Sequence, residues 1–142
     1  MNINTFRIAL ALVFISVFSG CSKNNPNSVI PNAYVDVTLN IYEPSSFNLE
    51  PIGGWIYHPG GSNGLIIYHA NVDDYICYDR HSTYNVEDWC QVEVDSSNFK
   101  LIDPCSQSEF SIFDGSVIKA PASIPLKRYP VIFDGTYIVI RN

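Results

Sequence analysis

Cys77, His81, Cys90 and Cys105 are the side chains of this sequence whose types suit a soft metal. Thiolates and imidazoles are the donors of tetrahedral zinc sites, but spacings of 4, 9 and 15 residues lack the short C-x₂₋₄-C knuckle of structural zinc. One disulfide with a spare thiol suits these three cysteines better, and which two pair stays open on spacing alone. Two carboxylate pairs, Asp73/Asp74 and Glu87/Asp88, are adjacent in sequence. Acid–base chemistry needs carboxylates facing each other across a substrate, whereas neighbours on a strand point to opposite faces. Both pairs read as solvated loop charges. Ser, His and Asp occur without a nucleophile elbow, so no triad and no enzymatic activity is expected. Gly53-Gly54 and Gly60-Gly61-Ser62-Asn63-Gly64 lack the following helix and the lysine of a phosphate cradle, and read as turns.

The elements that must position these groups come from a chain of 142 residues; the roughly 120 that follow a leader of 20 are enough for one domain with one buried core and too few for two domains. Residues 1–20 have the form of an export leader. Arg7 supplies the positive start, and residues 8–18 are an apolar run too short to span a bilayer. Phe18-Ser19-Gly20-Cys21 resembles the lipobox of bacterial lipoproteins, in which the cysteine becomes the new N-terminus and carries the lipid. That resemblance implies a lipid on Cys21, the membrane as a partner, and a place in the cell envelope, on the periplasmic or outer-membrane face. Residues 21–30 then form the lipidated cysteine and a flexible tether, polar and carrying Pro26. Residues 31–142 form one domain. Without Arg7, fourteen acidic residues face seven basic ones, a balance that excludes nucleic acid as a partner.

No stretch of the domain keeps a helical apolar period. Residues 34–42 (YVDVTLNIY) alternate as a half-buried strand does, and further strands are expected at 54–57, 65–69, 75–78, 91–94, 99–102, 109–113, 129–133 and 136–140. Asn63-Gly64 and Asp134-Gly135 are signals for type I′ hairpin turns, and residues 95–98 (DSSN) for a polar turn. Residues 81–89 (HSTYNVEDW) read as a surface loop. Nine short strands joined by such turns predict an antiparallel all-β domain.

From Tyr75 to the C-terminus the chain resembles a Rieske domain. The family has two ligand loops, C-x-H (often C-x-H-x-G-C) and then C-x₂-H, followed by a Gly turn, a G-P-A segment and a last hairpin. Here Asp103-Pro104-Cys105-Ser106-Gln107-Ser108-Glu109-Phe110 falls on the second loop, with Gly115, Ala120-Pro121-Ala122, Pro125-Leu126 and Tyr129 following in step. The resemblance puts Asp103 at the second-loop cysteine and Ser106 at its histidine. Cys105 falls on the non-ligand cysteine of the disulfide-containing branch, with Cys90 as its partner. In the first loop Cys77 matches the ligand cysteine, Asp79 stands where histidine belongs, and His81 lies two residues late. A Rieske centre needs two thiolates on one iron and two imidazoles on the other, and hard oxygen donors suit neither. The resemblance therefore implies an all-β, Rieske-like envelope lipoprotein without a cofactor or bound metal, of the kind found among small lipoproteins of the Bacteroidetes. Its expected role is as a binding or structural module. The alternatives are a [2Fe–2S] electron carrier, and a mononuclear metal site made by Cys77, His81 and either Asp103 or Asp79.

Overall fold

The structure, a computed structural model, describes residues 29–142; the leader, Cys21 and most of the tether lie outside the described residues. The strands are β1 (Asp36–Asn40), β2 (Trp55–His58), β3 (Leu65–Asn71), β4 (Asp74–Asp79), β5 (Glu93–Val94), β6 (Lys100–Ile102), β7 (Glu109–Ser111), β8 (Val117–Lys119), β9 (Arg128–Tyr129), β10 (Val131–Phe133) and β11 (Tyr137–Arg141). All pairings are antiparallel, in three sheets ordered β1-β11-β10, β2-β3-β4-β9 and β5-β6-β7-β8. The domain is all-β, as its turn-punctuated sequence predicts.

The one domain holds two apolar cores in place of the single core expected, and the middle sheet is the wall between them. Leu65-Ile66-Ile67-Tyr68 is apolar at every position, the composition of a strand covered on both faces. Alternation sends Ile66, Tyr68, Ile76 and Tyr78 into one core, where they meet Val92, Leu101, Phe110 and Ile112 from the β5–β8 side. Leu65, Ile67, Tyr75 and Cys77 point the other way, against Val35 just before β1 and Ile138 and Ile140 of β11. Gly115 fits this packing through an absent side chain. At φ +74° its Cβ would lie 2.8 Å from the Tyr78 ring.

Several expectations need correction. The predicted strand at 129–133 is two strands, because Pro130 offers no N–H and the chain there leaves the middle sheet for the terminal one. β8 was not expected, since its three residues show no alternation and two of them are exposed. Asn63-Gly64 does not form a type I′ turn. Only Gly64 has positive φ, at +93°, and the connection from β2 to β3 runs from Pro59 to Gly64. Asp134-Gly135 does join a hairpin, but again only the glycine is left-handed. Asp134 Oδ1 closes that turn by accepting the Thr136 and Tyr137 N–H groups at 2.9 and 2.7 Å. The polar turn at 95–98 forms as expected, with Asn98 at φ +61°. The segment 81–89 is not wholly a surface loop, because His81, Ser82 and Thr83 are buried, and Thr83 Oγ1 donates to the Ile124 carbonyl at 2.6 Å.

Candidate functional site

Two loops meet beside the β5–β8 sheet. The first leaves β4 at Asp79 and reaches β5; the second joins β6 to β7. The Cys90–Cys105 disulfide links them, with Cα atoms 6.3 Å apart. The pairing expected from the Rieske resemblance is thus present. A second link runs beside it: Ser82 Oγ of the first loop donates to Asp103 Oδ2 of the second at 2.6 Å. Ser106 Oγ donates to the same oxygen at 2.6 Å, and the Cys105 N–H to Oδ1 at 2.9 Å. Ser108 Oγ lies 2.8 Å from Ser106 Oγ and accepts the Ala122 N–H at 2.9 Å, extending the network towards the Ala120-Pro121-Ala122 segment.

Burial raises the Asp103 pKa, but the hydrogen bonds from Ser106, Ser82 and the backbone outweigh it and hold the carboxyl below its ordinary value. A carboxylate with a depressed folded-state pKa stabilises above the unfolded value of about 3.9 and loses that contribution as pH falls through the folded value. Wild-type stability is therefore expected to drop below about pH 4 more steeply than that of Asp103→Asn, by urea unfolding across pH. Parallel curves would show that Asp103 does not carry the effect.

A second buried carboxylate organises the entrance to the first loop. Asp79 Oδ2 accepts the Ser62 N–H at 2.6 Å and the Tyr129 hydroxyl at 2.8 Å; Oδ1 accepts the N–H groups of His81 at 2.9 Å and Asn63 at 3.2 Å. Gly61, at φ +62°, makes room for this, since a Cβ there would lie 2.5 Å from Asp79 Oδ2. The His81 ring is held at both nitrogens, Nδ1 by Ser62 Oγ at 2.8 Å and Nε2 by the Val86 carbonyl at 2.9 Å. A carbonyl only accepts, so Nε2 carries a proton and donates to Val86, while Nδ1 and the Ser62 hydroxyl share the second bond. Tyr129→Phe removes one donor to Asp79 and is expected to cost about 1.5 kcal/mol in thermal or urea unfolding. A loss below a few tenths would contradict that reading of the bond.

The residues singled out from sequence thus fall into two groups. Asp103, Ser106, Cys90 and Cys105 are brought together at the loop contact. Cys77 and Asp79 are not in the first loop but in β4, with Cys77 paired across the sheet with Tyr129 and buried in the second core. Burial, then the charge of Asp79, drives the Cys77 thiol far above its ordinary pKa, leaving it protonated and unsuited as a ligand. His81 has both ring nitrogens engaged. Among the described residues, the one group of three potential ligands is Cys90, Asp103 and Cys105, whose ligating atoms lie within 4.8 Å of one another. The mononuclear set of Cys77, His81 and an aspartate is not among such groups.

Sequence reasoning missed Ser82. The first loop reaches Asp103 through this serine, eight positions before Cys90, whereas C-x-H-x-G-C spaces its two cysteines by five. A signal was present, because a residue inside the predicted strand 75–78 is ill placed to be a loop ligand. Apart from the disulfide sulfurs, the donors that meet across the loops are oxygens of Ser82, Asp103 and Ser106. They do not fit a [2Fe–2S] centre, which takes two thiolates and two imidazoles.

No protein-family model and no curated relative matches the chain. Among the described residues, no helix is long and apolar enough to cross a membrane. Solved structures of the same fold include two that cover three quarters of this chain. The plasma-membrane Rieske protein PetC3 of the cyanobacterium Synechocystis PCC 6803 is 22% identical, with a TM-score of 0.58 over 75% of this chain and 99% of that one. The ferredoxin of carbazole 1,9a-dioxygenase from Nocardioides aromaticivorans is 14% identical, with a TM-score of 0.52 over 76% of this chain and 96% of that one. The described domain therefore has the Rieske fold.

Proposed function

We propose that this chain is an envelope lipoprotein, anchored through a lipid on Cys21, whose Rieske-like domain carries no [2Fe–2S] cluster and serves as a binding or structural module. The observation that carries the reading is the 2.6 Å contact between Ser82 and Asp103. Two ligands of one iron must lie within a few ångströms of each other across the loops, and apart from the two sulfurs bonded to each other in the disulfide the side chains that do so here end in oxygen. On that footing Ser82-Thr83-Tyr84 takes the place of C-x-H, and Asp103 to Ser106 that of C-x₂-H. Neither a thiolate nor an imidazole remains at those four positions, and oxygen donors bind sulfide-bridged iron poorly. The loops need no iron to stay joined, since the disulfide and the Asp103 carboxylate both link them.

The test is chemical analysis of protein purified without oxygen. We expect a colourless preparation with no acid-labile sulfide and no reduced-state EPR signal. Stoichiometric iron and sulfide, with a visible spectrum, would replace this reading with electron transfer. The anchor is tested separately in cells, where Cys21→Ala is expected to abolish fatty-acid labelling and release the protein from the membrane fraction. Unchanged labelling would remove the lipoprotein part of the proposal.

A further inference from the structure

The disulfide occupies two corners of a potential ligand set, and Asp103 supplies a third. With the sulfurs bonded to each other no metal can use them, but the surroundings are arranged to keep them close once that bond opens. Ser82 N–H donates to the Cys90 carbonyl at 2.9 Å, Ser82 Oγ to Asp103 Oδ2 at 2.6 Å, and the Cys105 N–H to Asp103 Oδ1 at 2.9 Å. A chain of hydrogen bonds thus runs from Cys90 to Cys105 independently of the disulfide. Cys105 is an exposed residue while Cys90 and Asp103 are buried, so Cys105 is the side from which an attacking thiolate approaches.

We propose that reduction of Cys90–Cys105 creates a site for a soft divalent cation, held by the two thiolates and the Asp103 carboxylate with water at the fourth position. The reductant is an external dithiol. Its first thiolate attacks Cys105 Sγ, breaking the disulfide and releasing Cys90 as a thiolate; its second attacks the mixed disulfide, frees Cys105 and closes the reductant's own disulfide. Two electrons pass to the protein, and the dithiol's two protons end on the two cysteines. A divalent cation then displaces those protons as it binds.

The geometry accommodates this. Zinc–sulfur bonds of about 2.3 Å at a tetrahedral centre place sulfurs roughly 3.8 Å apart, and zinc–oxygen bonds of about 2.1 Å place oxygen at a similar separation from each sulfur. The three ligating atoms already lie within 4.8 Å of one another. Reduction without a metal leaves two neutral thiols beside an anionic carboxylate; a cation of charge two offsets the negative charge that builds up as the thiols give up their protons to become its ligands. Two sulfurs and one oxygen select zinc or cadmium over magnesium or calcium, which take oxygen ligands.

The site shares its loops with the proposed function, yet the two fail separately. A native cluster appears as sulfide in the untreated protein, whereas this site appears only after reduction. The probe is cobalt(II), titrated anaerobically into the purified protein before and after treatment with a phosphine reductant. We expect one equivalent bound with a sulfur-to-cobalt charge-transfer band after reduction, and no band before. Cys105→Ser should abolish the band, Asp103→Asn should weaken binding at least tenfold, and Cys77→Ser should change neither. Circular dichroism of the reduced protein monitors the fold. Absence of the band, a band indifferent to Asp103→Asn and Cys105→Ser, or loss of the fold on reduction would each overturn the proposal.

Discussion

Asp79→Ala is expected to lower stability by about 4 kcal/mol or more, the largest effect of any single substitution considered for this protein. Four donors converge on that carboxylate, three of them backbone N–H groups of Ser62, Asn63 and His81 and one the Tyr129 hydroxyl. Asp79 itself is fully buried, so its removal leaves donors facing a small void rather than bulk water. A buried donor without a partner costs about 1–3 kcal/mol, and water admitted past the partly exposed Ser62 and Asn63 recovers part of the sum. Asp79→Asn is expected to be milder yet still destabilising, because its amide keeps one acceptor but turns an NH₂ towards the remaining donors. Urea unfolding of the two variants measures both effects. A loss below about 1 kcal/mol for the alanine variant would mean that the 59–64 connection is held by packing alone.

That carboxylate also marks the limit of what the sequence discloses. The double-sided character of β3 is legible in Leu65-Ile66-Ile67-Tyr68, because an apolar run of strand length needs cover on both faces. The second loop is legible because the pattern from Asp103 to Ala122 runs without a gap, which fixes Cys105 and, through the resemblance, its partner Cys90. The first loop is not legible in the same way. It is longer than the pattern it resembles, and cysteine is the residue the eye follows, so Cys77 draws notice while Ser82 makes the contact with Asp103. Serine carries no such signal. Its placement depends on a hydrogen bond to a residue 21 positions away, and no local propensity encodes that. Asp79 looks like a substituted ligand in one dimension and is a structural hub in three, since its partners come from the 59–64 connection and from β9. The polar networks around Asp79 and Asp103 are thus long-range products of the fold, and sequence periodicity reports only the apolar framework around them.

Loss of the disulfide should come next in size. Cys90→Ser/Cys105→Ser is expected to cost about 3 kcal/mol, the chain-entropy value for a closed loop of roughly 15 residues. The cross-link acts chiefly on the unfolded ensemble, and a domain with a stability of about 5–15 kcal/mol remains folded without it. Reductant should shift the wild-type unfolding midpoint to match the variant and leave the variant unmoved. The carboxylate link gives a sharper test. With the disulfide intact, the loops stay adjacent when Asp103→Asn weakens the bond from Ser82, so part of that bond's work is duplicated. With the disulfide gone, the same substitution removes the remaining side-chain link between Ser82 and the second loop. The two changes together should therefore cost more than their sum, by about 1 kcal/mol in a double-mutant cycle. Strict additivity would show that the sulfur and carboxylate links hold separate parts of the loops, and the pre-organisation claimed for the reduced cysteines would lose its physical basis.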